Sequence, residues 1–167
     1  MKHRAKLRKV SISSEHLAVA IEAVAAMDLK EKEAICDTIY AAQPNLLGSV
    51  LVLSSLGSSM ETVEVVLNIL IVIHLAVANS GQVLATVSEE NLERQLQRFI
   101  ATVNFSEGLD ELSISQSIRQ TKAYRKEKVL LAYVLGVLQR SGLVNQQHEN
   151  AKYPMLAALN FVNCIAT

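Results

Sequence analysis

Between positions 61 and 79 the chain reads ETVEVVLNILIVIHLAVAN, and no other stretch sets tighter limits on the fold. Its length exceeds the usual strand of about five to six residues. Helical start and stop signals bracket it: Ser58 and Glu61 have the spacing of a capping box, and Gly81 follows the end. As a helix turning about 100° per residue, it carries Glu61, Glu64 and Asn68 on one polar strip. That strip continues through Val72 and Leu75 and becomes apolar. The first half is therefore amphipathic and the second half apolar all round, so it must be wrapped by other helices or by lipid. A membrane span needs about 20 predominantly apolar residues. Here two glutamates, Asn68 and His74 interrupt the run, and polar groups inside a membrane are costly. The expectation is a helix buried by the rest of its own chain, burying more than any other segment, with no membrane span.

Composition agrees with a helical answer. The chain is 50% hydrophobic and 19% charged, with 4% aromatic residues and no Trp, so the core must be made of Leu, Ile, Val and Ala. Six Gly and two Pro leave little material for the tight turns of a β protein. At 167 residues, one domain with one substantial core is expected. The predicted fold is all-α: a single-domain bundle of seven or eight helices around the central segment, over residues 13–167. Residues 1–12 are expected to form a flexible basic arm.

In chain order, the first helix is expected over 14–27, with Leu17, Ala20, Ile21 and Val24 on its buried face. Asp28 with Glu31 marks a second capping box, opening a helix to about Ala42 whose apolar face carries Ala34, Ile35 and Ile39. Pro44 suits the first turn of a third helix ending at Gly57. After the central helix, Ser88 caps a fifth, with Glu89 and Glu90 where the dipole favours acid. Leu92, Leu96, Phe99, Ile100 and Val103 form its apolar face. Residues 105–120 read as a short helix or an irregular loop. A helix over 122–140 stops at Gly142, and a last one, MLAALNFVNCIA, is apolar to the end of the sequence and should dock on the core.

The pattern also suggests an internal repeat. LLGSVL at 46–51 resembles LLAYVL at 130–135. Each of these helices ends in Gly and precedes an apolar helix with a Leu-Asn pair, Leu67-Asn68 and Leu159-Asn160. A genuine repeat implies two related helical pairs about a pseudo-twofold; the plainer reading is that Leu-rich helices match one another by composition.

Charge is balanced overall but not in place. Five of the 16 basic residues (Lys2, Arg4, Lys6, Arg8 and Lys9) precede any acid, which leaves the remainder net acidic. A second basic group comprises Arg119, Lys122, Arg125, Lys126 and Lys128, offset locally by Glu127. With a helix starting near Lys122, these cations oppose the helix dipole and call for an anion, either internal (Glu107, Asp110, Glu111) or a nucleic-acid phosphate. No aromatic residue interleaves with either group, so a solvated face paired within the molecule is favoured over nucleic-acid binding. The N-terminus imitates a signal peptide, but Glu22 interrupts its apolar part. The expected location is the cytoplasm, with Cys36 and Cys164 as free thiols.

The search for catalytic patterns excludes much. There is no phosphate-cradling glycine loop, no nucleophile elbow, no HExxH or CxxC, and no His three residues after a Glu. No catalytic residue, metal site or cofactor is expected. His74, inside LIVIHLAVA, should be buried and neutral, hydrogen-bonded to backbone or to an Asn. Asn68, His74 and Asn160 are the candidates for a buried polar cluster. Glu33 and Asp37 share a helix face, but Lys30 and Lys32 beside them make it a solvated one.

The reading that follows is a non-enzymatic helical interaction protein, partnered by itself or by another protein. The third helix and the C-terminal helix are its interface candidates. If Leu51 or Leu159 is core, substitution by Asp unfolds the chain; if interface, it leaves a folded monomer. The first alternative is a nucleic-acid-associated protein using the two basic groups. The second is a ligand or enzyme pocket near His74.

Overall fold

The structure, a computed structural model, describes residues 11–104, 126–144 and 152–166. Helix boundaries follow capping chemistry. Ser13 caps α1 (Ser14–Ala26): its Oγ accepts from the N–H of His16, and its own N–H donates to His16 Nδ1, a capping box with His in the Glu position. Asp28 and Glu31 form the expected box at the start of α2 (Leu29–Ala42), with both bonds at 2.8 Å. Pro44 opens α3 (Pro44–Leu51), which tightens into a 3-10 turn at Val52–Ser54.

The central helix, α4 (Met60–Asn79), is capped by Ser59 rather than Ser58: the Thr62 N–H donates to Ser59 Oγ. The reason lies in the preceding turn. The Ser58 N–H closes that turn by donating to the Leu53 carbonyl at 3.0 Å, around Gly57 at φ 94°. Ser58 thus finishes one element, and Ser59 is the first residue free to start the next. Ser88 caps α5 (Glu89–Asn104) as expected, accepting from the Asn91 N–H. The remaining helices are α6 (Lys128–Arg140) and α7 (Lys152–Ala166). Residues 105–125, including the uncertain 105–120 stretch, lie outside the described residues. The helix expected from Lys122 is described only from Lys128, where Glu127 in a non-helical conformation precedes it.

The described chain is all-helical, with seven α-helices and no strand. Helix α4 packs against α1, α2, α3, α6 and α7. Ile69, Leu70, Ile71, Val72 and Ile73 are all buried, as a segment apolar all round requires. Glu61 and Glu64 are exposed and Asn68 half-buried, so the amphipathic first half is also as expected. By length and composition α4 could cross a membrane, yet half of its most apolar window is enclosed within the fold.

The most fully enclosed helix is nevertheless α7. Every residue from Ala158 to Ala166 is buried against a ring of α3, α4, α5 and α6. After Lys152 this helix has no charged side chain, so no face of it needs water. The C-terminal helix is therefore core, not a candidate interface.

Short helices α3 and α6 each pack on both α4 and α7, and α4 packs on α7. Leu46 and Val50, like their counterparts Leu130 and Val134, are buried. Gly142, at φ 72°, ends α6 as Gly57 ends the 3-10 turn: the next N–H, of Leu143, reaches back to the Leu138 carbonyl at 3.0 Å.

Three expected details change. Ile21 is 39% exposed and Ala34 is exposed, because α1 and α2 each bury a narrower stripe than their apolar content suggests. Ile12 is 2% exposed and its N–H donates to Glu127 Oε2, so the folded region already includes Ile12. The side chains of Phe99, Ile100 and Val103 lie outside the described part.

Candidate functional site

Two features outside the solid core stand out: a cavity beside His74 and an uncharged apolar corner at α3–α4.

The cavity forms because α4 is followed by an extended segment, 82–88, that folds back over the α2–α3 junction. Gln43, between α2 and α3 and 5% exposed, holds that segment with both ends of its amide. Its Nε2 donates to the Ala85 carbonyl at 3.0 Å, and its Oε1 accepts from the Val87 N–H at 2.8 Å. Asn45 Nδ2 donates to the Val87 carbonyl, and Thr86 Oγ1 to the Ala42 carbonyl. A buried N–H and carbonyl of a loop must find partners, and this junction supplies them. No local signal in the sequence marks Gln43, since a Gln next to Pro44 has the pattern of a solvated linker.

Strapped in this way, the segment leaves a cavity of about 200 Å³ between itself and α2, α4 and α7. Ile39, Leu46, Leu70, Ile73, Val77 and Ile165 make its walls. The exposed Ala42, Ala78 and Val83 mark its mouth, Val83 being 96% exposed. The polar lining is Gln43, His74 and Gln82. Both ends of the Gln43 amide are occupied by backbone. Gln82 Nε2 is buried without a hydrogen-bond partner among the described residues. His74 is half-buried, and the expected bond to backbone or Asn is absent among the described residues. Burial pushes its pKa below the usual histidine value, so the imidazole is neutral at pH 7.

The three residues considered as one polar cluster do not form one around this cavity. Asn68 and Asn160 are not part of its lining. Asn160 is buried on α7 and donates through Nδ2 to the Leu92 carbonyl of α5 at 3.2 Å, which pins two helices together. Its Oδ1 is buried without a partner among the described residues.

The second feature is a corner. Leu51, Val52, Leu56 and Met60 are 57%, 46%, 38% and 75% exposed, and they follow one another along the α3–α4 connection. From Ala41 through Met60 the chain contains no ionisable side chain.

The basic groups fall mostly outside the described residues: Lys2, Arg4, Lys6, Arg8, Lys9, Arg119, Lys122 and Arg125 all do. Lys126 and Lys128 are exposed. Glu127 between them is 5% exposed and accepts from the Ile12 N–H, so it ties the start of the fold to α6.

The thiols are unsuited to nucleophilic work. Neither is in a disulfide. Burial pushes Cys164 up to about 11, and burial with the neighbouring Asp37 and Glu33 charges also raises Cys36. Among the described residues no group of three His, Cys, Asp or Glu could hold a metal ion. No protein-family model, curated protein or solved structure matches this chain.

Proposed function

We propose that the protein is a non-enzymatic helical interaction protein that pairs with a second copy of itself through the α3–α4 corner. The observation that carries this reading is the exposure of Leu51, Val52, Leu56 and Met60 along one stretch of chain without charge. Scattered apolar side chains on a surface are ordinary, but a contiguous group marks an interaction site. In a twofold dimer the same patch meets itself, so any charge on it faces its own kind. A corner with no ionisable side chain meets its copy without that repulsion, and a net charge of zero removes long-range repulsion between copies.

Size-exclusion chromatography with light scattering over a concentration series tests the proposal. The wild type runs as a dimer. Leu51→Asp runs as a monomer with an unchanged circular-dichroism spectrum and a melting temperature that no longer depends on concentration. A wild-type monomer at every concentration refutes self-association. Absorbance at 260 nm in the same run reports co-purified nucleic acid. A strong signal there, lost on deleting residues 1–9, replaces this reading with a nucleic-acid one.

A further inference from the structure

We infer that the start of α6 and the N-terminal basic residues act as one cationic surface that binds the face of an anionic lipid bilayer. It uses none of the residues of the α3–α4 corner, so it is independent of self-pairing. The two groups of charge are remote in sequence, and one hydrogen bond joins them. Ile12 and Glu127 are 115 positions apart, and the Ile12 N–H donates to Glu127 Oε2 at 3.3 Å. Ile12 is 2% exposed, so it is a fixed anchor for the chain that precedes it. Helix α1, which follows it, also packs on α6.

Lys126 and Lys128 flank Glu127. Both are exposed, and neither has an ion-pair partner among the described residues. A chain extends by at most about 3.6 Å per residue, so Arg8 and Lys9 lie within about 15 Å of Ile12 whatever course they take. Four cations therefore share one end of α6. The acids beside them are Glu127, which accepts from the Ile12 N–H, and the exposed Glu15 in the first turn of α1. Lys2, Arg4 and Lys6 add to the excess, with no acid among the first nine residues. A net charge of zero gives the molecule no overall pull towards an anionic surface, so the attraction is local to this end.

The composition of the basic segment selects lipid as the partner. Residues 1–10, MKHRAKLRKV, have only basic and apolar side chains. Bound along a phosphate backbone, Leu7 and Val10 stay in water, and no aromatic ring is present for a base to stack on. At a bilayer surface the apolar side chains enter the headgroup region while the basic ones meet anionic headgroups.

The test is co-sedimentation of the full chain with vesicles of phosphatidylcholine alone and of phosphatidylcholine mixed with phosphatidylserine. Binding is expected only with phosphatidylserine present, and it falls as salt is raised. Arg8→Gln with Lys9→Gln, and Lys126→Gln with Lys128→Gln, are each expected to weaken it about 25-fold, about fivefold for each charge removed, with an unchanged circular-dichroism spectrum. An excess of duplex DNA leaves the protein on the vesicles. Absence of sedimentation with phosphatidylserine overturns the surface. Equal binding to both kinds of vesicle overturns its electrostatic basis. Wild-type binding by the Lys126/Lys128 double variant overturns the joining of the two groups. Release by duplex DNA overturns lipid as the partner in favour of nucleic acid.

Discussion

Leu51 and Leu159 are the same residue type in two apolar helices, and the structure assigns them opposite consequences. Leu159 is 0% exposed on the enclosed α7, whereas Leu51 is 57% exposed on α3. Truncating a buried Leu to Ala removes its transfer energy and leaves a cavity, at a cost of about 2–5 kcal/mol. Leu159 faces helices on every side, with Ala158, Phe161 and Val162 of the same helix also 0% exposed, so collapse around the gap is restricted and the upper half of that range is expected. For a chain of this length about 2–4 °C of melting temperature accompanies each kcal/mol. Leu159→Ala should therefore lower the melting temperature by roughly 7–20 °C. Leu51→Ala, at an exposed site, should change stability by less than about 0.5 kcal/mol in the monomer. The assay is urea unfolding followed by circular dichroism, at a protein concentration low enough to exclude association. The reasoning is refuted if the two variants shift the midpoint by the same amount, since the burial contrast would then be false.

Further outcomes follow from other contacts. Ser59→Ala should cost about 1 kcal/mol of stability by removing the α4 cap, while Ser58→Ala, whose hydroxyl has no partner among the described residues, should cost less; denaturant midpoints decide between them. Gln43→Leu leaves the Val87 N–H unpaired, so it should cost about 1–3 kcal/mol and speed amide exchange across 82–88, read by hydrogen-exchange mass spectrometry. Cys164 has a folded pKa raised to about 11 from 9.0, so the unfolded chain loses its proton first as pH rises. Stability should thus be intact below pH 9 and fall by about 2–3 kcal/mol towards pH 11, a loss that Cys164→Ala suppresses in alkaline melts. For His74 the sign is opposite. Its folded pKa lies below 6.5, so the unfolded chain binds the proton more readily, and stability should fall as pH drops below 6.5; His74→Phe should flatten that acid limb.

Local chemistry was legible in the sequence wherever it acts over one turn of chain. The Asp28–Glu31 box, Pro44 at a helix start, Ser88 as a cap and the glycines that end helices at 57, 81 and 142 need only neighbours three to five residues away. The all-helical class followed from a long apolar run with helical caps and from the scarcity of turn residues. What a helix touches is a different matter, because core and interface ask for the same apolar side chains. Nothing in the composition of α3 and α7 says that Leu51 meets solvent and Leu159 does not; that depends on which helices close around α7. The cap at Ser59 instead of Ser58 depended on a turn claiming the Ser58 N–H. The cavity was invisible for the same reason. His74 drew attention as a polar residue in an apolar run, but Gln43, Gln82 and Ile165, remote from it in sequence, meet it only because α2, the 82–88 segment and α7 converge beside α4. Sequence sets which residues seek burial and where helices begin and end; tertiary packing alone decides which apolar faces stay uncovered and where space is left between them.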